Sequence, residues 1–132
     1  MAADDRARIF LYGTLRRGGS RDVQVFYPGA DFVAPARVRG RLFDLEAYPG
    51  LRLDSSGEWV QGELFDVTAA ALAGLDEWEG IDLADPEAGE YRRVRVDAMR
   101  EDGTIERCWV YEVRVEICVG RPVIASGDWL RR

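Results

Sequence analysis

The chain has 132 residues and is 47% hydrophobic, with four Trp, five Tyr and five Phe; this is enough apolar surface for one packed core and excludes long disorder. Its formal net charge of −6 repels phosphate backbones and argues against nucleic acid as a partner. It contains no histidine, which excludes Ser-His-Asp and Cys-His catalysis and His-based zinc sites.

Other compositional features extend these exclusions. No apolar run approaches a membrane span, and Met1 to Arg8 lacks the apolar core of a signal peptide, so a cytoplasmic setting without membrane contact is expected. Cys108 and Cys118 form no metal-type pair and are expected as buried free thiols. No acidic ligand pattern of the calcium-loop kind is present, so no metal site is expected. Any acid–base chemistry near neutral pH then falls to a carboxylate, or to a perturbed Tyr, Cys or amine.

Along the chain, Arg8 to Tyr12 reads as a first strand that Gly13 breaks. Arg16 to Ser20 is a polar loop, and Asp22 to Tyr27 a short helix ended by Pro28-Gly29. From Ala36 to Leu45, Arg37, Arg39 and Arg41 alternate with Val38, Gly40 and Leu42, a period of two that predicts a half-buried strand. Tyr48-Pro49-Gly50 reads as a turn, Leu51 to Asp54 as a brief strand, and Ser55-Ser56-Gly57 as another turn. Trp59 to Val67 is a strand with Gly62 as a bulge or a point of close approach.

Thr68 is placed to cap a helix over Ala69 to Trp78, which Gly80 ends. Asp82 to Gly89 reads as a loop. Tyr91 to Met99 alternates Val94, Val96 and Ala98 against Arg93, Arg95 and Asp97. Glu101-Asp102-Gly103 is a hairpin signal. Thr104 to Val115 returns as a strand with Trp109, Tyr111, Val113 and Val115 on one face. Six or seven strands with one clear helix predict a single α+β domain over residues 1–132. A small, largely antiparallel barrel hides the sheet edges of such a chain.

Two places carry chemistry. On an ideal wheel Glu79 falls about 20° from Leu72, flanked by Leu75 and Asp76, while Glu77 faces away. Glu79 therefore shares the inward face, where an ionised carboxylate is costly, and it opposes the dipole of the last turn. Both effects raise its pKa toward that of a general base. The alternative is a structural ion pair with Arg92 or Arg93.

The second place is Tyr12-Gly13-Thr14-Leu15, directly after a strand. Successive N–H groups in such a bend cradle an anion or a developing oxyanion. The same string also serves as an ordinary tight turn. Its spacing matches neither a phosphate loop nor a dinucleotide fingerprint.

Tyr12-Gly13-Thr14-Leu15-Arg16-Arg17-Gly18 resembles the N-terminal motif of gamma-glutamylcyclotransferase-like proteins, in the branch of the gamma-glutamylamine cyclotransferases and the plant avirulence-induced proteins. Leu75-Asp76-Glu77-Trp78-Glu79-Gly80 resembles that family's Leu-Asp-x-x-Glu-Gly segment. Tyr91-Arg92-Arg93, Val110-Tyr111 and Ser126-Gly127-Asp128-Trp129 resemble later motifs in the same order. One departure is Ser20-Arg21-Asp22, where many members carry Asn or His.

The resemblance implies a small mixed, largely antiparallel β-barrel with few flanking helices and a cavity at the Tyr12–Leu15 loop. It implies Glu79 as the acid–base residue, and a reaction in which a gamma-glutamyl amine or amino acid cyclises to 5-oxoproline without a cofactor. Tyr12, Gly13, Thr14 and Leu15 would contact the substrate, with Tyr91 and Tyr111 as cavity walls facing the barrel lumen. Two other readings stay open: a non-catalytic module binding an anionic metabolite, and a stress-response interaction domain using exposed aromatics such as Trp59 or Trp129.

Overall fold

Period-two patterning is realised in six strands: β1 (Arg6–Leu11), β2 (Asp31–Asp44), β3 (Pro49–Leu53), β4 (Glu58–Thr68), β5 (Tyr91–Arg100) and β6 (Ile105–Val113). Two helices accompany them, α1 (Val23–Phe26) and α2 (Ala69–Trp78), with 3-10 turns at Val115–Cys118 and Trp129–Arg131. The computed structural model describes residues 5–81, 84–85 and 87–132. Part of the loop expected at Asp82 to Gly89 (Asp82, Leu83 and Pro86) lies outside the described residues.

The strand order is β3-β2-β4-β1-β6-β5, and a β2–β5 pairing closes five of the strands into a barrel. All pairings are antiparallel except β1 with β6, where Ile9 sits beside Trp109. The long β2 makes closure possible. It pairs with β4 from Asp31 to Gly40, with β5 at Ala36 and Arg37, and with β3 from Gly40 to Asp44.

Alternation along the strands produces two apolar layers. Phe10, Val38, Leu64, Ala98 and Val110 come from the five barrel strands and fill the lumen. Ile9, Leu11, Phe65, Val67 and Tyr111 face outward and pack with Val23 of α1 and with Ala71 and Leu75 of α2. Val94 and Val96 point to the lumen side as their alternation predicts. Cys108 and Cys118 are free and buried.

The structure differs from the sequence reading at several points. β2 starts at Asp31 rather than Ala36, running through Pro35 after a register shift between Phe32 and Ala34. Pro35 lies where only one edge of β2 is paired, a setting in which a strand tolerates proline. Pro49 and Gly50 are not a turn; they open β3 opposite Asp44 and Phe43. The turn lies earlier, with the Leu45 N–H donating to the Tyr48 carbonyl and Glu46 at φ 80.

Gly62 lies outside the one register shift of its strand pair and serves close approach, since a Cβ there would stand 2.5 Å from the Leu11 carbonyl oxygen. Val115 is outside β6, exposed in a 3-10 turn. The exposed-aromatic reading also loses its residues. Trp129 is buried, and Trp59 is half-buried beneath the guanidinium groups of Arg37 and Arg39. No helix among the described residues is long and apolar enough to cross a membrane.

Candidate active site

A cavity of about 420 Å³ opens where the two apolar layers meet, at the C-terminal end of β1. Tyr12, Gly13, Thr14, Leu15, Glu79, Tyr91 and Tyr111 all line it. Their separation in sequence is bridged by the parallel β1–β6 pairing and by the seating of α2 on the barrel wall.

The end of α2 positions Glu79. The Thr68 side chain accepts from the Ala71 N–H at 3.1 Å and starts the helix. At the other end Gly80 adopts φ 75, its N–H donates to the Glu77 carbonyl, and the Ile81 N–H donates to the Asp76 carbonyl. This pair of bonds is the Schellman arrangement, and it fixes Glu79 at the C-cap while Leu75 and Asp76 are buried. Among the described residues no cation lies within ion-pair distance of the Glu79 carboxylate.

Arg92 is taken by Glu112 at 3.0 Å. Arg93 is taken by Asp76, its Nε 2.8 Å from Oδ1, a charge contact whose N–H is not aimed along a hydrogen bond. Glu79 thus has neither of the partners a structural ion pair would give it. Burial pushes its carboxyl up to about 7, against the pull of Arg21 and with a further push from Glu90. The helix C-terminus opposes its ionisation as well.

The Tyr12–Leu15 loop presents the opposite character. The Gly13, Thr14 and Leu15 carbonyls accept from the Arg16, Arg21 and Val23 N–H groups at 3.1, 2.9 and 2.9 Å. The amides of Gly13, Thr14 and Leu15 donate to no acceptor among the described residues. Three successive N–H groups at a cavity wall with their carbonyls tied back suit an anion or an oxyanion. The loop is anchored from below: Arg16 is buried and reaches Glu63 at 3.4 Å and Asp128 at 2.8 Å, and the Arg17 N–H donates to Glu63 at 2.9 Å. Asp128 belongs to the Ser126–Trp129 stretch, so the first and last motifs of the chain meet under this loop.

Gly13 needs its missing side chain for space rather than for a left-handed backbone. Its φ is not positive, and a Cβ would stand 2.8 and 2.9 Å from Pro49 ring carbons. Gly13→Ala is expected to lower the unfolding free energy by about 1–3 kcal/mol through overpacking, which urea melts would measure.

The three tyrosines are tied by their hydroxyls. Tyr12 donates to the Tyr111 carbonyl at 2.6 Å and accepts from the Leu51 N–H at 3.2 Å. Tyr91 donates to the Pro49 carbonyl at 2.8 Å, and Tyr111 donates to Asp76 at 2.8 Å. Burial raises the pKa of all three, so they remain hydroxyls and give the cavity rigid walls. Tyr91 and Tyr111 were expected to face the lumen; they pack in the outer layer, because Tyr111 is drawn to Asp76 of α2. Burial also pushes the Cys108 thiol up to about 12, while the Glu79 carboxyl is the cavity-lining group that burial brings near neutrality.

Sequence reasoning missed Ser20, Arg21, Tyr48, Trp78 and Glu90, which line the walls together with Phe10, Leu11, Ala47 and Pro49. The departure at Ser20-Arg21 was a signal for two of them. Tyr48 and Glu90 are joined by a hydroxyl-to-carboxylate bond of 3.1 Å, a contact 42 residues apart that no local pattern announces.

Residues 9–131 match the family described as Gamma-glutamyl cyclotransferase, AIG2-like. A Vibrio cholerae protein, provisionally named a gamma-glutamylcyclotransferase, is 32% identical over 124 residues, covering 94% of this chain and 96% of the relative. A Halalkalibacterium halodurans protein with the same provisional name is 38% identical over 94 residues, 70% of this chain and 80% of the relative. The crystal structure of an AIG2-like protein from Mus musculus superposes with a TM-score of 0.69 at 25% identity, covering 89% of this chain and 84% of that one. In sequence and in fold, the chain belongs to the gamma-glutamyl cyclotransferase, AIG2-like family.

Proposed function

We propose that this protein is one domain carrying one site, which cyclises a gamma-glutamyl amine or amino acid to 5-oxoproline and releases the amine. The observation that carries the proposal is a carboxyl that burial pushes up to about 7, with no cationic partner among the described residues, sharing one cavity with three backbone amides that donate to no described acceptor.

The substrate arrives with its α-amine protonated. Glu79, ionised, takes a proton from it and frees the nitrogen lone pair. The nitrogen attacks the γ-carbonyl carbon, forming the ring C–N bond and pushing the carbonyl electrons onto oxygen. The Gly13–Leu15 amides suit either that oxyanion or the substrate's α-carboxylate. When the carbonyl re-forms, the original amide C–N bond breaks and the leaving nitrogen takes the proton from Glu79; the ring nitrogen then gives up its second proton through Glu79 to the released amine, which departs as the ammonium and leaves Glu79 ionised. No electron is gained or lost, so the step calls for no redox cofactor. The tied tyrosine walls limit the substrate's freedom, which favours closure of the five-membered ring.

Purified protein is expected to release 5-oxoproline from a gamma-glutamyl compound, read by chromatography. The value of kcat/KM, which reports the free enzyme, should rise with pH through a midpoint near 7, because the working form of Glu79 is the carboxylate. Binding of gamma-glutamyl compounds without any turnover would instead favour a ligand-binding module, and a flat profile between pH 5.5 and 8.5 would remove Glu79 as the base.

A further inference from the structure

Resting on that reading, we infer that the cavity mouth is a subsite for the leaving half of a gamma-glutamyl α-amino acid with an aromatic or large apolar side chain. Arg21 receives its carboxylate, and Trp78 packs against its side chain.

A gamma-glutamyl group brings one carboxylate, and of the two anions the loop amides suit, the subsite assigns them this one. Arg21 is a further anion receptor and the only cationic side chain that lines the cavity among the described residues. It is exposed, and no described carboxylate lies within ion-pair distance of it. Its neighbour Asp22 is occupied, accepting from the Gly18 and Gln24 N–H groups at 3.0 and 2.9 Å. A second donor of this kind matches a second carboxylate, which an amino-acid leaving group has and a simple amine lacks.

An apolar surface lies beside Arg21. Trp78 lines the cavity yet remains 37% exposed, and Phe26 is 49% exposed. Their rings meet edge to face, 4.7 Å between centroids at 87°, so Phe26 steadies Trp78 from outside. The Arg21 guanidinium carbon stands 5.3 Å from the Trp78 ring centroid. A cation and an aromatic face at this spacing match an α-amino acid, whose carboxylate and side chain leave the same carbon.

The opposite rim carries Glu90, which would suit a cationic leaving group. Its carboxylate already accepts the Tyr48 hydroxyl, at 3.1 and 3.3 Å, and the positive field of Arg121 reaches that tyrosine. The rim therefore gives a free cation a weaker reception than Arg21 gives an anion.

Three probes separate the possibilities: gamma-glutamylphenylalanine, gamma-glutamylphenethylamine, which lacks only the carboxylate, and gamma-glutamylputrescine, which carries an ammonium. The phenylalanine compound is expected to show kcat/KM at least about tenfold above either amine. Arg21→Gln should collapse the phenylalanine-to-phenethylamine ratio toward one; taking the ratio cancels the effect of Arg21 on the Glu79 pKa, which both substrates share. Trp78→Ala should lower the preference for gamma-glutamylphenylalanine over gamma-glutamylglycine about fivefold. Equal use of the phenylalanine and phenethylamine compounds, a preference for putrescine, or a ratio unmoved by Arg21→Gln would overturn the subsite. If none of the compounds turns over, the proposed function alone fails, because calorimetric Kd values on the Glu79→Gln protein still decide the same preferences: a tighter phenylalanine compound supports the subsite, and equal or absent binding overturns it.

Discussion

Glu79→Gln is expected to lower turnover by about a thousandfold or more while making the protein more stable above neutral pH. The loss follows from removing the group that accepts and returns the proton, a role worth roughly 10²–10⁴ on its own, at a site with no histidine to substitute for it. The gain follows from linkage. The carboxyl titrates near 4.5 in the unfolded chain and at about 7 in the fold. Between those values the unfolded state releases the proton first, so native stability falls as pH rises from about 4.5 to 7 and stays reduced above that.

Glutamine carries no such ionisation. Relative to the native chain, the variant should gain about 1–3 kcal/mol at pH 8, after allowing for solvent screening at the cavity mouth. At pH 4 the two proteins should differ little. Thermal melts at the two pH values, beside 5-oxoproline assays, would measure both effects. A variant that keeps full turnover removes the mechanism, and one that is less stable at pH 8 than the native chain removes the account of its pKa.

Arg16→Met should be the most damaging single change under the loop. The guanidinium is buried between Glu63 and Asp128, and removing it leaves two carboxylates facing each other in a poorly solvated place. The remaining cations nearby, Arg17 and Arg131, stand farther off at 3.8 and 3.7 Å and are largely exposed, so they compensate little. Breaking such a buried arrangement costs about 3–5 kcal/mol, a large share of the stability of a chain this size. Urea unfolding would read the loss directly. Activity should fall beyond what the folded fraction explains, because the same pairs hold the Gly13–Leu15 amides in place. A cost below about 1 kcal/mol would mean that solvent reaches these charges far more freely than their burial indicates.

The two predictions draw on different levels of legibility. Glu79 could be found from the wheel of a single helix, because its burial is set by Leu75 and Asp76 beside it. The Arg16 network could not be found that way. Its members are 47 and 112 residues from Arg16, and only closure of the barrel brings them together. The same holds for Asp76. The sequence reading offered Arg92 or Arg93 to Glu79, and the fold gives Arg92 to Glu112 and Arg93 to Asp76 instead, which leaves Glu79 with no ion-pair partner among the described residues.

The amino-acid sequence by itself determined the features that depend on near neighbours. Thr68 and Gly80 bound α2, the Val and Arg alternation makes β5, and Glu101-Asp102-Gly103 joins it to β6, since capping, pleating and turn geometry are settled within a few residues. Only the tertiary structure decided the remainder. It carried β2 through Pro35, moved the turn from Pro49 to Leu45–Tyr48, turned Tyr111 toward α2, and built the cavity mouth from Arg21, Tyr48, Trp78 and Glu90. These outcomes rest on which distant surfaces must be buried together and which buried polar groups must find partners, conditions that exist only once the barrel is closed.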